Sequence, residues 1–178
     1  MAAKKVSKSK GRIAVFVEEI YEDLEAWYPI LRFREAGYEV VVVGPTKGAT
    51  YKSKHGMPLT ADAGIDEIKA SSLIGVYVPG GYAPDKMRRN AKMVKLVSDL
   101  FKAGKMVASI CHGPWVLAEA DVVRGRRFTC VGAIKTDIIN AGGKYENAEV
   151  VQDGNLFTSR TPVDLPAQMK AILAFLES

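Results

Sequence analysis

The residues best suited to chemistry in this chain are Cys111 and His112, which stand side by side where an apolar run stops. Residues 106 to 110 have the composition of a buried strand, and Pro114 just beyond them favours the first turn of a helix. A strand that turns at once into a helix would project the thiol over the end of a sheet. A cysteine at a strand end can also be a packing residue, but the neighbouring histidine, glycine and proline favour chemistry.

A cysteine nucleophile needs thiolate character, a base, and donors for the oxyanion that forms when a carbonyl is attacked. The helix start and the adjacent His112 are both expected to lower the pKa of the Cys111 thiol. The backbone N–H groups of His112 and Gly81 are the candidate oxyanion donors. The chain has two histidines, and His55 lies in a polar loop, so His112 is the candidate base.

Carboxyl groups could reach the same site from the acidic segment at residues 18 to 25, which includes Glu22 and Glu25. Acids at a helix start also have a plain structural role, because they satisfy free N–H groups and favour the positive end of the helix dipole. The sequence leaves open which glutamate has which role. Trp115 could line the pocket of the site or simply pack in the core.

Strands and helices alternate along the chain. Strand-like runs occupy residues 12–17, 39–43, 73–78 and 106–110. One helical pattern follows the acidic segment and ends near residue 36, and others cover residues 91–103, 114–120, 136–140 and the stretch from 164 onward. This alternation predicts an α/β fold, a three-layer flavodoxin-like sandwich with a mostly parallel sheet and helices on both faces. In such a sheet the acidic segment, Pro79-Gly80-Gly81 and Cys111 would meet beyond the carboxyl ends of the strands.

Three further segments have weaker patterns. Residues 44–60 fit a loop or a small hairpin. Residues 127–131 are predicted to form a strand that holds Cys130. Residues 149–152 and 156–159 flank Asp153-Gly154, which is a hairpin signal.

The composition is that of an ordinary globular protein, with 48% apolar and 25% charged residues in 178. Of 25 basic residues, four lysines lie among the first 11 positions, so the rest carries 21 against 20 acidic residues. Four of the five net positive charges thus belong to a basic tail, residues 1–11, which is predicted to be disordered, ahead of a single domain at 12–178. A balanced domain argues against a nucleic-acid partner.

Other classes of protein are excluded by what the sequence lacks. No uncharged apolar run reaches the 18 or so residues of a membrane span. Two cysteines form no disulfide framework, which predicts a cytoplasmic location. Neither metal-ligand spacing nor a phosphate loop is present, so no metal or other cofactor is expected.

Four motifs closely resemble the PfpI family, within the superfamily of class I glutamine amidotransferase-like proteins. They are Ser109-Ile110-Cys111-His112-Gly113-Pro114, Val78-Pro79-Gly80-Gly81-Tyr82-Ala83-Pro84-Asp85, Lys54-His55-Gly56 and Ile134-Lys135-Thr136-Asp137-Ile138-Ile139-Asn140-Ala141-Gly142. The resemblance covers residues 12 to 177. It implies a stress-protective cysteine hydrolase, either a peptidase or amidase, or a deglycase or glyoxalase acting on adducts of glyoxal or methylglyoxal. The substrates would be small carbonyl compounds, peptides or glycated molecules.

The resemblance also implies roles for individual residues. Cys111 would be the nucleophile and His112 its partner, with Asp85 of a neighbouring subunit orienting the histidine where family members often have glutamate. Glu25, with Glu22 as its rival, would hydrogen-bond the thiol. A site completed by a second subunit implies a homo-oligomer, and the family points to dimers assembled into hexamers.

A second hypothesis is a redox sensor or chaperone without enzymatic activity. An exposed cysteine beside a protonated glutamate can be oxidised to a stabilised sulfinic acid. Superfamily members that resemble sensors tend to lack a histidine at the position of His112. The presence of His112 therefore favours the enzyme.

Overall fold

The computed structural model describes residues 9 to 178 and has at its centre a seven-stranded sheet with helices on both faces. The elements in chain order are β1 (Arg12–Phe16), α1 (Asp23–Glu35), β2 (Glu39–Gly44), β3 (Thr50–Lys52), β4 (Pro58–Thr60), β5 (Ala63–Gly64), β6 (Gly75–Val78), α2 (Ala83–Met87), α3 (Ala91–Lys102), β7 (Met106–Ile110), α4 (Pro114–Glu119), β8 (Arg127–Phe128), α5 (Lys135–Asn140), β9 (Lys144–Tyr145), β10 (Val151–Asp153), β11 (Leu156–Ser159) and α6 (Leu165–Leu176).

The strand order in the sheet is β10-β11-β7-β6-β1-β2-β5. Only β10 and β11 pair in the antiparallel sense, and the other neighbours are parallel. α1 and α6 pack together on one face, and α3 and α4 pack together on the other. The predicted three-layer α/β sandwich is confirmed.

The direction of the winding reverses at β1. The chain passes from β1 to β2 on one side and later returns to β6 on the other, and in α/β sheets a crevice for ligands forms at such a reversal. β6 and β7 are buried along their whole length, which explains why their sequences are continuous apolar runs rather than alternating ones. The carboxyl ends of β1, β6 and β7 therefore converge on one crevice.

Two of the weaker predictions have different outcomes. The segment 44–60 contains the hairpin of β3 and β4, as one of the alternatives proposed. The predicted strand at 127–131 is wrong beyond Phe128. Thr129 N–H donates to the Thr158 side chain (2.8 Å), and Val131 N–H donates to the Cys111 carbonyl (3.3 Å). The backbone therefore leaves the strand after Phe128, and Cys130 lies outside it.

A buried polar chain connects α6 to the two strands that lead into the crevice. The Tyr77 hydroxyl donates to Gln168 Oε1 and the Gln168 side-chain amide donates to the Ser109 carbonyl, both at 2.7 Å. All three residues are fully buried, and buried polar groups of this kind stabilise a fold only when each is paired. Gln168 thus fixes β6 and β7 directly beneath the site.

Most of the predicted basic tail, residues 1–8, lies outside the described residues. At its end, Lys10 N–H donates to the Gly37 carbonyl (3.2 Å) and Lys10 Nζ forms an exposed ion pair with Glu177 (3.1 Å). None of the helices in residues 9 to 178 is both long and apolar enough to span a bilayer.

Candidate active site

Cys111 follows β7 directly and adopts a left-handed backbone conformation, with φ of 59°. A residue with a Cβ atom is strained in the left-handed conformation and keeps it only when neighbouring groups fix the backbone. Cys111 N–H donates to the Ser159 carbonyl (3.1 Å), and its own carbonyl accepts from Val131 N–H (3.3 Å). α4 begins at Pro114, so the turn from strand to helix predicted by the sequence is present.

Three groups with proton-transfer or donor capacity surround the sulfur. His112 Nδ1 lies 3.2 Å from Cys111 Sγ. The backbone N–H groups of Gly81 and His112 are close enough to the sulfur to lower the pKa of its thiol. The structure therefore brings together the candidate nucleophile, the candidate base and the two candidate oxyanion donors.

Two glycines at the end of β6 make this close approach possible. Gly80 N–H donates to Glu25 Oε2 at 2.8 Å, and a Cβ at Gly80 would lie 2.5 Å from that oxygen and 2.7 Å from Cys111 Cβ. Gly81 has φ of +76°, and a Cβ there would lie 2.5 Å from the Ile20 carbonyl oxygen. No other residue type fits either position without moving the site.

The structure separates the two glutamates that the sequence left as rivals. Glu25 is fully buried in the first turn of α1, and its carboxyl group faces the Cys111 thiol. Its Oε1 has no partner of good hydrogen-bond geometry within residues 9–178, so the sulfur is the neighbour with which it can share a proton. Glu22 is the N-cap of α1, and its Oε2 accepts from Glu25 N–H at 2.8 Å. Glu22 therefore has the plain capping role.

Burial raises the pKa of Glu25 to about 8, and the negative charge of Glu22 adds to this effect. The hydrogen bond from Gly80 and the positive charge of Lys54 act in the opposite direction without reversing it. At neutral pH the Glu25 carboxyl group is consequently mostly protonated. It can donate a hydrogen bond to a neighbouring thiolate.

The expectation that the thiol pKa is lowered is wrong for this chain. Burial, and after it the charge of an ionised Glu25, raise the pKa of Cys111 to about 12, against the lowering effect of the N–H groups of Gly81 and His112. Desolvation of the buried sulfur outweighs a helix of only six residues. A proton on Glu25 removes the second cause, but burial, the largest cause, still raises the pKa of the thiol.

A lowered pKa of His112 suits a base that lies beside a protonated thiol. Burial, followed by the positive charge of Lys54, lowers the pKa of His112 below its usual value. A neutral imidazole can accept the thiol proton through Nδ1. No carboxylate within residues 9–178 is hydrogen-bonded to the His112 ring.

Asp85 lies on α2, a short helix that the sequence analysis did not predict, although Pro84 at its first turn was a usable signal. Its Oδ1 accepts from Arg88 Nη2 (2.7 Å) and Nε (3.1 Å), and not from His112 of the same chain. The Asp85 side chain is 47% exposed and borders an open groove between α2, α3 and α4. It is thus accessible to a second molecule.

Trp115 packs against the histidine. Its ring centroid lies 5.1 Å from that of His112, and the Arg88 guanidinium lies 4.7 Å from the centroid of the indole. Trp115 Nε1 donates to Asp137 Oδ2 at 2.8 Å. Sequence reasoning missed Arg88 and Asp137, because nothing in their local patterns connects them to His112.

The Lys54-His55-Gly56 motif forms a fixed turn beside the site. His55 Nδ1 lies 2.8 Å from Asp23 Oδ2, and the Ser53 hydroxyl donates to the other oxygen of that carboxylate. Glu22, Asp23 and His55 place donor atoms within 4.8 Å of one another, a grouping that the sequence spacing did not predict. These groups already serve the helix cap and the turn, so we assign them to holding this turn against α1.

This combination of a doubly wound sheet and a cysteine turn with an adjacent histidine defines a class of protein. The family model described as DJ-1/PfpI family matches residues 11–175. The chain therefore belongs to the DJ-1/PfpI family, and the resemblance identified from the motifs is confirmed.

Individual relatives agree with this assignment. The chain is 41% identical to a protein of Pyrococcus abyssi named as a deglycase, over 93% of this chain and 99% of the relative. It is 37% identical to YraA of Bacillus subtilis, whose name proposes a cysteine protease, over 93% of this chain and 98% of the relative. A two-domain Anabaena variabilis protein, with a DJ-1/ThiJ/PfpI-like and a ferritin-like domain, is 43% identical with a TM-score of 0.92. That match covers 94% of this chain and 48% of the other.

Proposed function

We propose that the protein is a cysteine-dependent hydrolase that acts on carbonyl adducts formed by glyoxal or methylglyoxal. The observation that carries the proposal is the 3.2 Å approach of His112 Nδ1 to Cys111 Sγ, with the backbone N–H groups of Gly81 and His112 close to the same sulfur. The names of the relatives, deglycase and proposed cysteine protease, fit a shared first step. The two free cysteines fit a reducing cytoplasm.

In the first step, Cys111 Sγ forms a bond to the carbonyl carbon while His112 Nδ1 takes the thiol proton. The electron pair of the carbonyl bond moves to its oxygen, where the N–H groups of Gly81 and His112 stabilise the negative charge. His112 then gives its proton to the leaving group as the bond between that group and the carbonyl carbon breaks, which leaves an acyl thioester on Cys111. Water, deprotonated by His112, attacks the thioester and releases the acid and the free thiol. With a free aldehyde the proton goes to the oxygen, and the first product is a hemithioacetal of Cys111. A neutral Glu25 supports the sulfur by donating a hydrogen bond and adds no competing negative charge.

An oxidation sensor fits the same residues less well. Such a sensor reacts fastest as an exposed thiolate, and burial raises the pKa of the Cys111 thiol to about 12. A thiol that is protonated at rest needs a base at the moment of reaction. His112 supplies one, which is the requirement of a catalysed attack on a substrate.

The substrate class is tested by comparing three substrates on one preparation of the wild-type protein: methylglyoxal, a methylglyoxal–thiol adduct and a fluorogenic peptide. We expect kcat/KM to be higher for methylglyoxal and its adduct than for the peptide, because a small carbonyl carbon reaches Cys111 without displacing an extended chain. Higher kcat/KM for the peptide would make the protein a peptidase. Absence of turnover with all three would overturn the proposed hydrolase.

The role of Asp85 gives a prediction about assembly. We propose that Asp85 of one subunit orients His112 of another within a homo-oligomer. Asp85→Asn should then lower kcat by about tenfold or more, because an unoriented imidazole is a poorer base. The melting temperature should change little, because the Asp85–Arg88 pair is exposed.

A matched control exists in Asp121→Asn, which breaks the similarly spaced and exposed Asp121–Arg124 pair. Oligomer size, measured by light scattering on the same samples, shows whether the subunits are still associated. An unchanged rate for Asp85→Asn in an intact oligomer would contradict the cross-subunit role.

A further inference from the structure

Trp115 is held from two sides at a position where it contacts the reactive histidine. Its indole N–H donates to the Asp137 carboxylate at 2.8 Å. The Arg88 guanidinium lies over the indole at 4.7 Å, a cation–π arrangement that favours one orientation of the ring. An indole fixed by both contacts has little freedom to rotate.

The fixed indole restricts His112. The two rings are 5.1 Å apart and inclined at 58°, which is within the range of favourable aromatic pairs. His112 Nδ1 is directed at the sulfur, but no hydrogen bond to another group within residues 9–178 holds the ring in that rotamer. Packing against Trp115 is therefore a contact that limits rotation of the imidazole.

We propose that Trp115 is a positioning residue for His112, and that Asp137 and Arg88 act through it by fixing the indole. The ordinary alternative is that Trp115 only packs. A tryptophan that only packs also tends to pair its N–H. This half-buried indole has in addition a cation over its face and lies against the histidine that contacts the sulfur. The kinetic consequences rest on the proposed function, but the positions of the rings do not.

The first test measures the environment of the His112 ring by NMR. The chain has two histidines, so the imidazole signals of protein labelled with 13C-histidine can be assigned with a His55→Gln variant. In Trp115→Leu, the His112 signals should move toward the positions of an unstacked histidine. Trp115→Phe keeps an aromatic ring and should give a smaller shift of the His112 signals. It also provides a second test if Trp115→Leu does not fold.

The second test measures the reactivity of the Cys111 thiol. Alkylation of Cys111 by iodoacetamide at pH 7 should be about tenfold slower in Trp115→Leu, because a displaced base no longer assists deprotonation. Mass spectrometry of the peptides separates Cys111 from the buried Cys130. Asp137→Ala should slow alkylation in the same direction, and Asp137→Asn, which retains an acceptor oxygen, should restore much of the rate.

Arg88 is tested against a matched arginine. Arg88→Met should slow alkylation of Cys111 and shift the His112 signals, whereas Arg124→Met, which removes an arginine paired with an aspartate three residues away, should do neither. Because Asp85 of a neighbouring subunit is itself proposed to orient His112, the two routes are separated in an Asp85→Asn background. There Arg88→Met should still slow alkylation and shift the His112 signals if Arg88 acts through the indole. No added effect of Arg88→Met in that background would show that Arg88 acts through Asp85 and would remove it from the proposal.

The proposal is overturned if Trp115→Leu folds with unchanged His112 signals and an unchanged alkylation rate. A wild-type protein that turns over no substrate, but shows the expected changes in signals and alkylation, would contradict the proposed hydrolase and leave the positioning role intact. Turnover in the wild type with no effect of Trp115→Leu on the signals or on alkylation would contradict the positioning role and leave the proposed hydrolase intact.

Discussion

Cys111→Ser is expected to lower kcat/KM by at least about a thousandfold for every substrate that the protein turns over. Serine preserves the volume and the strained backbone position of Cys111, but its hydroxyl is far less acidic than a thiol, and His112 cannot deprotonate it as readily. The measurement is a comparison of kcat/KM for methylglyoxal, its thiol adduct and a peptide.

The matched control is Cys130→Ser. Cys130 is buried and lies outside the groups that surround the Cys111 sulfur, so its replacement should leave kcat/KM near that of the wild type. Should Cys111→Ser retain turnover of one substrate, that activity would have to be assigned to a different site. Loss of activity in Cys130→Ser as well would point to a general defect in folding.

Glu25→Gln is expected to make the stability of the protein less dependent on pH. The pKa of Glu25 is about 8 in the folded protein, against an ordinary value of 4.5. Between these two pH values the folded state holds a proton that the unfolded state has released, so the free energy of unfolding falls as pH rises from about 4.5 to about 8. The loss amounts to several kcal/mol, since each pKa unit corresponds to about 1.4 kcal/mol.

A glutamine at position 25 can accept the Gly80 N–H bond and donate toward Cys111, as the protonated glutamate does, but it has no proton to lose. Urea unfolding of both proteins between pH 4.5 and 8.5 should show similar stability at the acid end and a more stable variant at the alkaline end. Glu35→Gln, at the exposed end of α1, serves as the control. If the curves of Glu25→Gln and the wild type were parallel, the raised pKa of Glu25 would be refuted.

The same titration should be visible in activity. As Glu25 ionises near pH 8, its negative charge beside the sulfur opposes formation of the thiolate. We therefore expect turnover to fall on the alkaline side in the wild type, and to fall less in Glu25→Gln.

Much of the fold could be predicted from the sequence because its signals are local. β6 and β7 are buried on both faces, so they are continuous apolar runs that end at Gly80 and Cys111. The short strand at 127–131 was overestimated because its length depends on hydrogen bonds to Thr158 and to Cys111, both distant in sequence.

The site was predictable to the extent that its residues are neighbours in sequence. Cys111 and His112 are adjacent, and their 3.2 Å contact follows from one turn of chain. The resemblance favours Glu25 over Glu22, but the local pattern alone does not separate them, since both stand at the start of the same helix. The choice depends on which carboxyl group α1 turns toward β6 and which one caps the helix.

The family, the α/β architecture and the thiol at a strand-to-helix turn can all be inferred from the amino-acid sequence, because motifs and apolar runs are properties of short stretches of chain. The protonation states of the site depend instead on how the chain folds. The pKa values of Cys111, Glu25 and His112 depend on burial and on charges from other elements, including Lys54. For that reason the sequence predicted a lowered pKa for the thiol, whereas the folded chain raises it and places a neutral histidine beside it.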